Sequence, residues 1–382
     1  MISRRDRSLI AEWWWTVDRT TLFLVLLLLA AGVVLSFAAS PPVAERLGLS
    51  TYHFALRQAM YAPTATAIIL SISLLTPRQV RRLALLILLV SLSMMVAVLF
   101  IGDEVKGSRR WVYVAGMSLQ PSEFLKPAFI VIVAWLFAEG SKHPEVPGKL
   151  LAVILLIITA ALLVAEPDLG QTILIFSVWG AVFFLAGVSL PLVGGLAGTA
   201  VAGLFAAYFM FPHFTSRIDR FLDPEGGDTY QVDIAMRSFE RGGWSGSGPG
   251  EGVMKRILPD SHTDFVFAVI AEEFGIILCL ALICIFGFIV MRGLMHALRR
   301  KQPFERMAIA GLSIQIGLQA FINMGVNLQL LPAKGMTLPF ISYGGSALLS
   351  SAVVMGFILA LSRERAERKV TVMPHSSFAE QL

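Results

Sequence analysis

Four short clusters of charged and amide side chains interrupt an otherwise apolar chain. Each suits chemistry on an anion or a hydroxyl. The first ends in Asp264, in the run Leu258-Pro259-Asp260-Ser261-His262-Thr263-Asp264, directly before an apolar segment. A partly desolvated carboxylate there can act as general base or as ligand to a divalent cation such as Mg2+ or Mn2+. Its competing role is a helix N-cap, with Thr263 as rival. The second cluster is Lys106-Gly107-Ser108-Arg109-Arg110-Trp111. Guanidinium forks match phosphate oxygens two at a time and tryptophan suits a lipid interface, so Arg109, Arg110 and Trp111 are read as contacts for an anionic ligand, with plain surface solvation as the alternative. The third is Gln120-Pro121-Ser122-Glu123-Phe124-Leu125-Lys126-Pro127. Glu123 and Lys126 share a helical face as i, i+3 neighbours. They make either a simple ion pair or, where the two prolines break the backbone ladder, a cavity lining with Gln120. The fourth is Glu166-Pro167-Asp168-Leu169-Gly170-Gln171. Asp168 and Gln171 have the spacing of a capping box and face the same side as the other clusters.

The elements that must hold these groups are membrane helices. Of the 382 residues 56% are hydrophobic and 15% charged, against about 25% charged in a soluble domain. The apolar residues gather into runs long enough to cross a bilayer core of about 30 Å. The fold expected is all-α: one polytopic helical bundle with ten transmembrane spans over 21–39, 56–75, 82–101, 122–138, 150–165, 169–187, 190–211, 265–291, 305–330 and 341–361. Residues 1–20 form an N-terminal segment, 21–361 the membrane domain and 362–382 a disordered tail. More of the 31 Lys and Arg residues fall in segments that an N-in, C-in arrangement leaves inside, as the positive-inside bias requires. The 102–121, 212–264 and 331–340 loops then face outward.

The 212–264 insert between spans seven and eight is the one change of composition. Asp228-Thr229-Tyr230-Gln231 opens an apolar stripe of Val232, Ala235, Met236 and Phe239, and Gly242-Gly243 stops it. This predicts a short amphipathic helix, either on the membrane surface or packed on the bundle. Trp13-Trp14-Trp15 before the first span reads as an interfacial belt, and no cleavable signal pattern precedes it. Cys279 and Cys284 lie within one apolar run and are expected to pack. Glu272 and Glu273, inside span eight, need partners facing the bundle. The glycine-rich run Gly246-Ser247-Gly248-Pro249-Gly250 lacks nucleotide-loop spacing. The six histidines never pair at ligand spacing, and no Gly-x-Ser-x-Gly elbow occurs. The net charge of +5 is accounted for by the inner loops, so nucleic acid is not implied. Acidic, basic and amide groups converging on the outer face of a bundle suit a substrate with an anionic head and a lipid tail.

The same residues resemble the shape, elongation, division and sporulation (SEDS) family, of the FtsW and RodA type. The resemblance rests on Gly107–Trp111, Gln120–Glu123 with Lys126, Glu166–Gln171, Leu258–Phe265, Ala271-Glu272-Glu273-Phe274-Gly275 and Leu338-Pro339-Phe340-Ile341-Ser342-Tyr343-Gly344-Gly345-Ser346. It covers nearly the whole chain. Lys334, in Leu331-Pro332-Ala333-Lys334-Gly335, and the long outer loop look like the division branch. Asp260, where glutamate is usual, and Ala347, where serine is common, depart from the pattern. The resemblance implies a peptidoglycan glycosyltransferase that polymerises lipid II into β-1,4 glycan at the division septum. It implies an active site on the periplasmic face of the bacterial inner membrane, a class B penicillin-binding protein as partner, and contact with other divisome membrane proteins. Asp264 maps onto the family's catalytic aspartate, and Arg109, Arg110, Trp111, Gln120, Glu123, Lys126, Asp168, Gln171, Lys334 and Ser342 onto the substrate site. A lipid II flippase, an elongation-type polymerase and a scaffold that only recruits the crosslinking partner are the rival readings.

Overall fold

A computed structural model describes residues 8–105, 108–114, 117–187, 190–210, 215, 218–219, 230–332 and 335–364. The helices are α1 (Leu9–Thr16), α2 (Arg19–Ala39), α3 (Pro41–Arg46), α4 (His53–Ser73), α5 (Pro77–Ile101), α6 (Pro121–Lys142), α7 (Gly148–Ala165), α8 (Leu169–Leu185), α9 (Leu190–Met210), α10 (Tyr230–Gly242), α11 (Val266–Arg299), α12 (Pro303–Asn327) and α13 (Gly345–Ser362). Every apolar segment marked as a span carries a helix. By length and composition seven helices can cross a membrane among the described residues: α2, α5, α6, α7, α11, α12 and α13. The apolar α8 is shorter, at 17 residues. Local chemistry sets the starts. Asp18 Oδ1 accepts the Thr20 and Thr21 amides to begin α2, and Thr76 and Gln79 form a reciprocal capping box at α5. Pro77, Pro121 and Pro303 stand in first turns, where no backbone donor is lost.

The core lies along α13, α12 and α6, whose apolar windows are 83%, 72% and 67% buried, against 28% for α5, α7 and α11. The latter three therefore form the lipid-facing wall. The first long helices close on the last: α4 packs along α13, and α2 along α11. At the end where the chain begins, Arg292 grips Asp18 through two bonds of 2.6 and 2.7 Å, with His296 Nε2 at 2.8 Å. Trp13 Nε1 donates to Ser73 Oγ at 2.8 Å, while Trp14 and Trp15 stay partly exposed. Arg363 donates to Thr16 Oγ1 and the Leu74 carbonyl. The expected tail lies outside the described residues beyond 364.

Three features stand out against the sequence reading: two depart from it and one settles an alternative it left open. The 102–121 loop holds a small antiparallel sheet, so the fold is not wholly helical. Its strands are β1 (Asp103–Val105), β2 (Ser108–Val114) and β3 (Met117–Leu119), with Asp103 opposite Trp111 and Val112 opposite Leu119. The β-branched and aromatic run Trp111-Val112-Tyr113-Val114 favours pleated backbone. The amphipathic helix α10 is packed on the bundle rather than free. It buries Ile234, Ala235 and Ser238, and Phe239 meets Phe267 at 5.7 Å between ring centroids. Its expected cap, Asp228-Thr229, lies outside the described residues.

The third is a break in α11. Gly275 has φ 81° and ψ 174°, so the element is two helices joined at a kink. The stretch after α10 threads this gap. Ile276 and Ile277 donate to the Gly243 and Trp244 carbonyls, while Ser247 and Gly248 donate to the Glu272 and Glu273 carbonyls. The backbone groups freed by the break are thus satisfied by protein, the condition for irregular backbone at membrane depth. The glycine-rich run that failed as a nucleotide loop fills this role: a Cβ on Gly246 would lie 2.2 Å from the Glu273 carbonyl oxygen. Glu272 and Glu273 hold the same loop, as expected of buried carboxylates with partners. Glu272 accepts the amides of Val253 and Met254 at 2.7 and 2.9 Å, and Glu273 pairs with buried Lys255.

Candidate functional site

Asp264 sits in a tight turn built on one carbonyl: the amides of Thr263, Asp264 and Phe265 all donate to the Asp260 oxygen. Asp260 carries this turn at φ 52°, a left-handed conformation that Asp tolerates better than most residues. The N-cap position of α11 falls to Phe265, which makes no side-chain cap bond, so the capping alternative for Asp264 is not realised. Asn327 does that work from α12, its Oδ1 accepting the Ala268 amide at 3.0 Å. Asn323 and Asn327 Nδ2 both donate to the Asp264 carbonyl at 2.9 Å. Ser342 Oγ donates to the Thr263 carbonyl at 2.6 Å and accepts the Leu338 amide at 2.8 Å. His262, Phe54 and Tyr343 form a ring cluster, with the His262 centroid 4.6 Å from that of Phe54 and 5.4 Å from that of Tyr343, and those two 5.0 Å apart. The Asp264 side chain is half-buried beside Gly335, and a Cβ on that glycine would lie 3.3 Å from Asp264 Oδ2.

A second cluster lies at the same end, where α6 and α8 begin. Lys126 Nζ meets Glu123 Oε2 at 2.8 Å, with side chains 1% and 6% exposed. Gln171 Nε2 donates to Glu123 Oε1 at 2.8 Å, and Lys126 donates to Gln319 Oε1 at 3.3 Å. The intrahelical ion pair therefore forms, built into a buried polar network, while α6 runs unbroken through Pro127. Asp168 caps α8 by accepting the Gln171 amide at 3.3 Å, and its other oxygen accepts Gln120 Nε2 at 3.2 Å. Only half of the expected capping box forms, because the Gln171 side chain is spent on Glu123. Arg110 reaches in from β2. It donates from Nε to the Glu166 carbonyl at 2.9 Å, donates from Nη2 to the Pro167 carbonyl, and lies 3.7 Å from Asp168 Oδ2.

The two clusters are joined along α12. Gln315, Gln319, Asn323 and Asn327 recur every four residues and are all buried, so they form one polar stripe on an apolar helix. Gln319 holds Lys126 and also donates to the Thr337 carbonyl at 3.2 Å; one turn on, Asn323 donates to the Asp264 and Met336 carbonyls. The seam runs from Arg110 through Asp168, Gln120, Gln171, Glu123 and Lys126 to the turn of Asp264. Its buried charges come in opposed pairs, which offsets the desolvation each would otherwise suffer. The sequence reading passed over Gln319 and Asn327, although the four-residue amide repeat was there to be read.

One of the expected contacts stands apart: Arg109 pairs with Glu104 at 3.8 Å and is half exposed. Trp111 lies opposite Asp103 in the sheet, and between these two pairs the register shifts by one residue at Arg110. Lys334 lies outside the described residues. No group of three or more His, Cys, Asp or Glu is placed to hold a metal among the described residues. A hard cation at Asp264 would therefore take its other oxygens from water and a bound phosphate, as Mg2+ commonly does.

The family described as Cell cycle protein, which groups FtsW, RodA and SpoVE, matches residues 19–367. A Caulobacter vibrioides (strain NA1000 / CB15N) protein named Probable peptidoglycan glycosyltransferase FtsW is 49% identical over 95% of this chain and 93% of its own. One of the same name from Saccharophagus degradans is 40% identical over 75% of this chain and 77% of its own. Among solved structures, a chain from a peptidoglycan synthase complex, studied for its structural coordination of polymerization and crosslinking, superposes with TM-score 0.76 at 26% identity, covering 91% of this chain and 98% of that one. The rod shape determining protein RodA of Thermus thermophilus does so with TM-score 0.68 at 26% identity, covering 92% and 99%. The chain belongs to the FtsW, RodA and SpoVE family of cell cycle proteins.

Proposed function

We propose that this multi-pass membrane protein is a peptidoglycan glycosyltransferase of the division type. It polymerises lipid II into β-1,4 glycan at the septum, on the periplasmic face of the inner membrane, beside a class B penicillin-binding protein and other divisome membrane proteins. The observation that carries this reading is the paired polar seam that ends at a half-buried carboxylate, in a chain whose relatives bear the name peptidoglycan glycosyltransferase. Asp264 takes the proton of the acceptor sugar's 4-hydroxyl as that oxygen bonds to the anomeric carbon of the donor. The donor's bond to its polyprenyl pyrophosphate breaks, and the pyrophosphate leaves with the electron pair. General-base help of this kind is worth about 10²–10⁴-fold. Arg110, 20% exposed at the mouth of the seam, meets the leaving charge. Lys126 is committed to Glu123 and Gln319 and positions the amide stripe instead. Asp264 is also the residue that would hold Mg2+ or Mn2+ together with phosphate oxygens; such a cation supplies charge neutralisation when bound.

Transport of lipid II fits less well. The break in α11 is the one place among the described helices where a discontinuous span could line a path, and loop backbone fills it. The test is glycan synthesis by the purified chain with its penicillin-binding partner. Asp264→Ala is expected to abolish polymer while the complex still forms and melts normally. Polymer made at the wild-type rate by this variant removes Asp264 from the mechanism, and head-group translocation without polymer by the wild type replaces the enzyme with a flippase.

A further inference from the structure

One carboxyl at the mouth of the seam is used by nothing described so far. Glu166 is 1% exposed, and neither carboxyl oxygen has a hydrogen-bond partner among the described residues. Arg110 spans the same turn, gives two of its five N–H groups to the Glu166 and Pro167 carbonyls, and lies 3.7 Å from Asp168. One guanidinium thus serves a turn bearing two carboxyls, and it pairs with the second. Asp168 also accepts the Gln171 amide and Gln120 Nε2, donors that favour its anion. Glu166 has none, so burial favours its neutral form.

The ionisable groups around this turn are Arg110 from β2, Asp168 from the start of α8, and Glu123 and Lys126 from α6. The nearby ends of α5 and α7 carry none. Burial, then the charge of Asp168, push the Glu166 carboxyl up to about 8 against the pull of Arg110. Burial raises Asp168 as well, against the pull of Arg110 and the Gln171 amide. Two carboxyls so close titrate as a pair, and the donor pattern assigns the shared proton to Glu166. With that proton present, Arg110 balances Asp168 and Lys126 balances Glu123. Without it the mouth of the seam carries one uncompensated negative charge.

We propose that Glu166 is a charge-setting residue of the anion site: as a neutral acid it leaves Arg110 able to receive the substrate's pyrophosphate, and on ionising it closes that site to anions. This rests on the reading above that a pyrophosphate meets Arg110. Glu166 touches no reacting atom in this scheme; it positions charge. The experiment titrates lipid II against the full-length chain and its penicillin-binding partner in liposomes at pH 7 and pH 9, recording KM and kcat for the wild type and Glu166→Gln. Both esters of the lipid II pyrophosphate are capped, so its charge is constant over this range, and any slope shared by the two proteins belongs to the rest of the substrate.

Beyond that shared slope, the wild-type KM rises about tenfold from pH 7 to pH 9, the change a single group near 8 gives when only its neutral form permits binding. The Glu166→Gln KM shows no such rise, and kcat follows the same pH course in both. Should Glu166→Gln fail to fold, Glu166→Leu, equally unable to ionise, carries the same expectation. Equal KM slopes in variant and wild type overturn the proposal, as does a variant whose kcat falls equally at both pH values. No polymer from the wild type at either pH defeats the proposed function instead.

Discussion

Replacing Gly275 by alanine tests whether the break in α11 is a built joint or a tolerated irregularity. An L residue at φ 81° and ψ 174° costs about 1–3 kcal/mol in backbone strain. The added Cβ would also stand 2.3 Å from the Trp244 carbonyl oxygen and 2.5 Å from the Gly246 nitrogen, so the threaded loop must move. Two or three of its four backbone bonds to the joint are then lost, at about 1 kcal/mol each. The total is about 3–6 kcal/mol. Gly287 provides the control: it lies in the same helix, and nothing stands within 4 Å of the position its Cβ would take. Gly287→Ala should therefore be neutral or stabilising, by up to about 1 kcal/mol. Cys279, 3% exposed, reports unfolding through a fluorogenic maleimide once exposed Cys284 has been replaced. The expected result is a clear drop in melting temperature for Gly275→Ala and none for Gly287→Ala. Equal melting of the two variants refutes the argument, because the loop would then not depend on the bare backbone at 275.

Two further outcomes follow from the buried charges. Lys126→Met leaves the Glu123 carboxylate buried with Gln171 alone and should cost about 3–5 kcal/mol. Glu123→Gln/Lys126→Met should recover most of that in the same maleimide melt, and a single variant as stable as wild type would show that the pair contributes little. At the opposite end, burial works against ionisation of Asp18, but hydrogen bonds from His296, Arg292 and Thr21 outweigh it and hold the carboxyl far below the usual range. A depressed carboxyl contributes stability above its unfolded value of about 4, which is lost as pH falls below it. Wild-type melting should therefore decline on acidification below about pH 4 more steeply than that of Asp18→Asn, and parallel declines would dismiss the clamp.

The apolar runs made the helices legible, because a bilayer leaves few other ways to satisfy backbone groups. The Glu123–Lys126 pair and the Asp168 cap followed from spacing alone. Arg110 did not: nothing in Arg109-Arg110 says which guanidinium enters the bundle, since that depends on a strand, irregular at Arg110, that the loop reading did not include. The turn of Asp264 was equally hidden, because its supports come from Asn323, Asn327 and Ser342, about sixty to eighty residues downstream. Nothing in the sequence around Gly275 marks a break. Its meaning appears only when the backbone of 243–248 is laid against it.

The pairing of α4 with α13 sets an order of assembly. α4 is the least oily of the early helices, carrying Arg57, Gln58 and several threonines and serines. Its Gln58 amide finds the Ser342 carbonyl, beside the start of α13. In the growing chain this helix precedes its partner by nearly three hundred residues. The bundle can lock only after its final helix is in place, so a chain released early would leave the α4 face that α13 covers unpartnered.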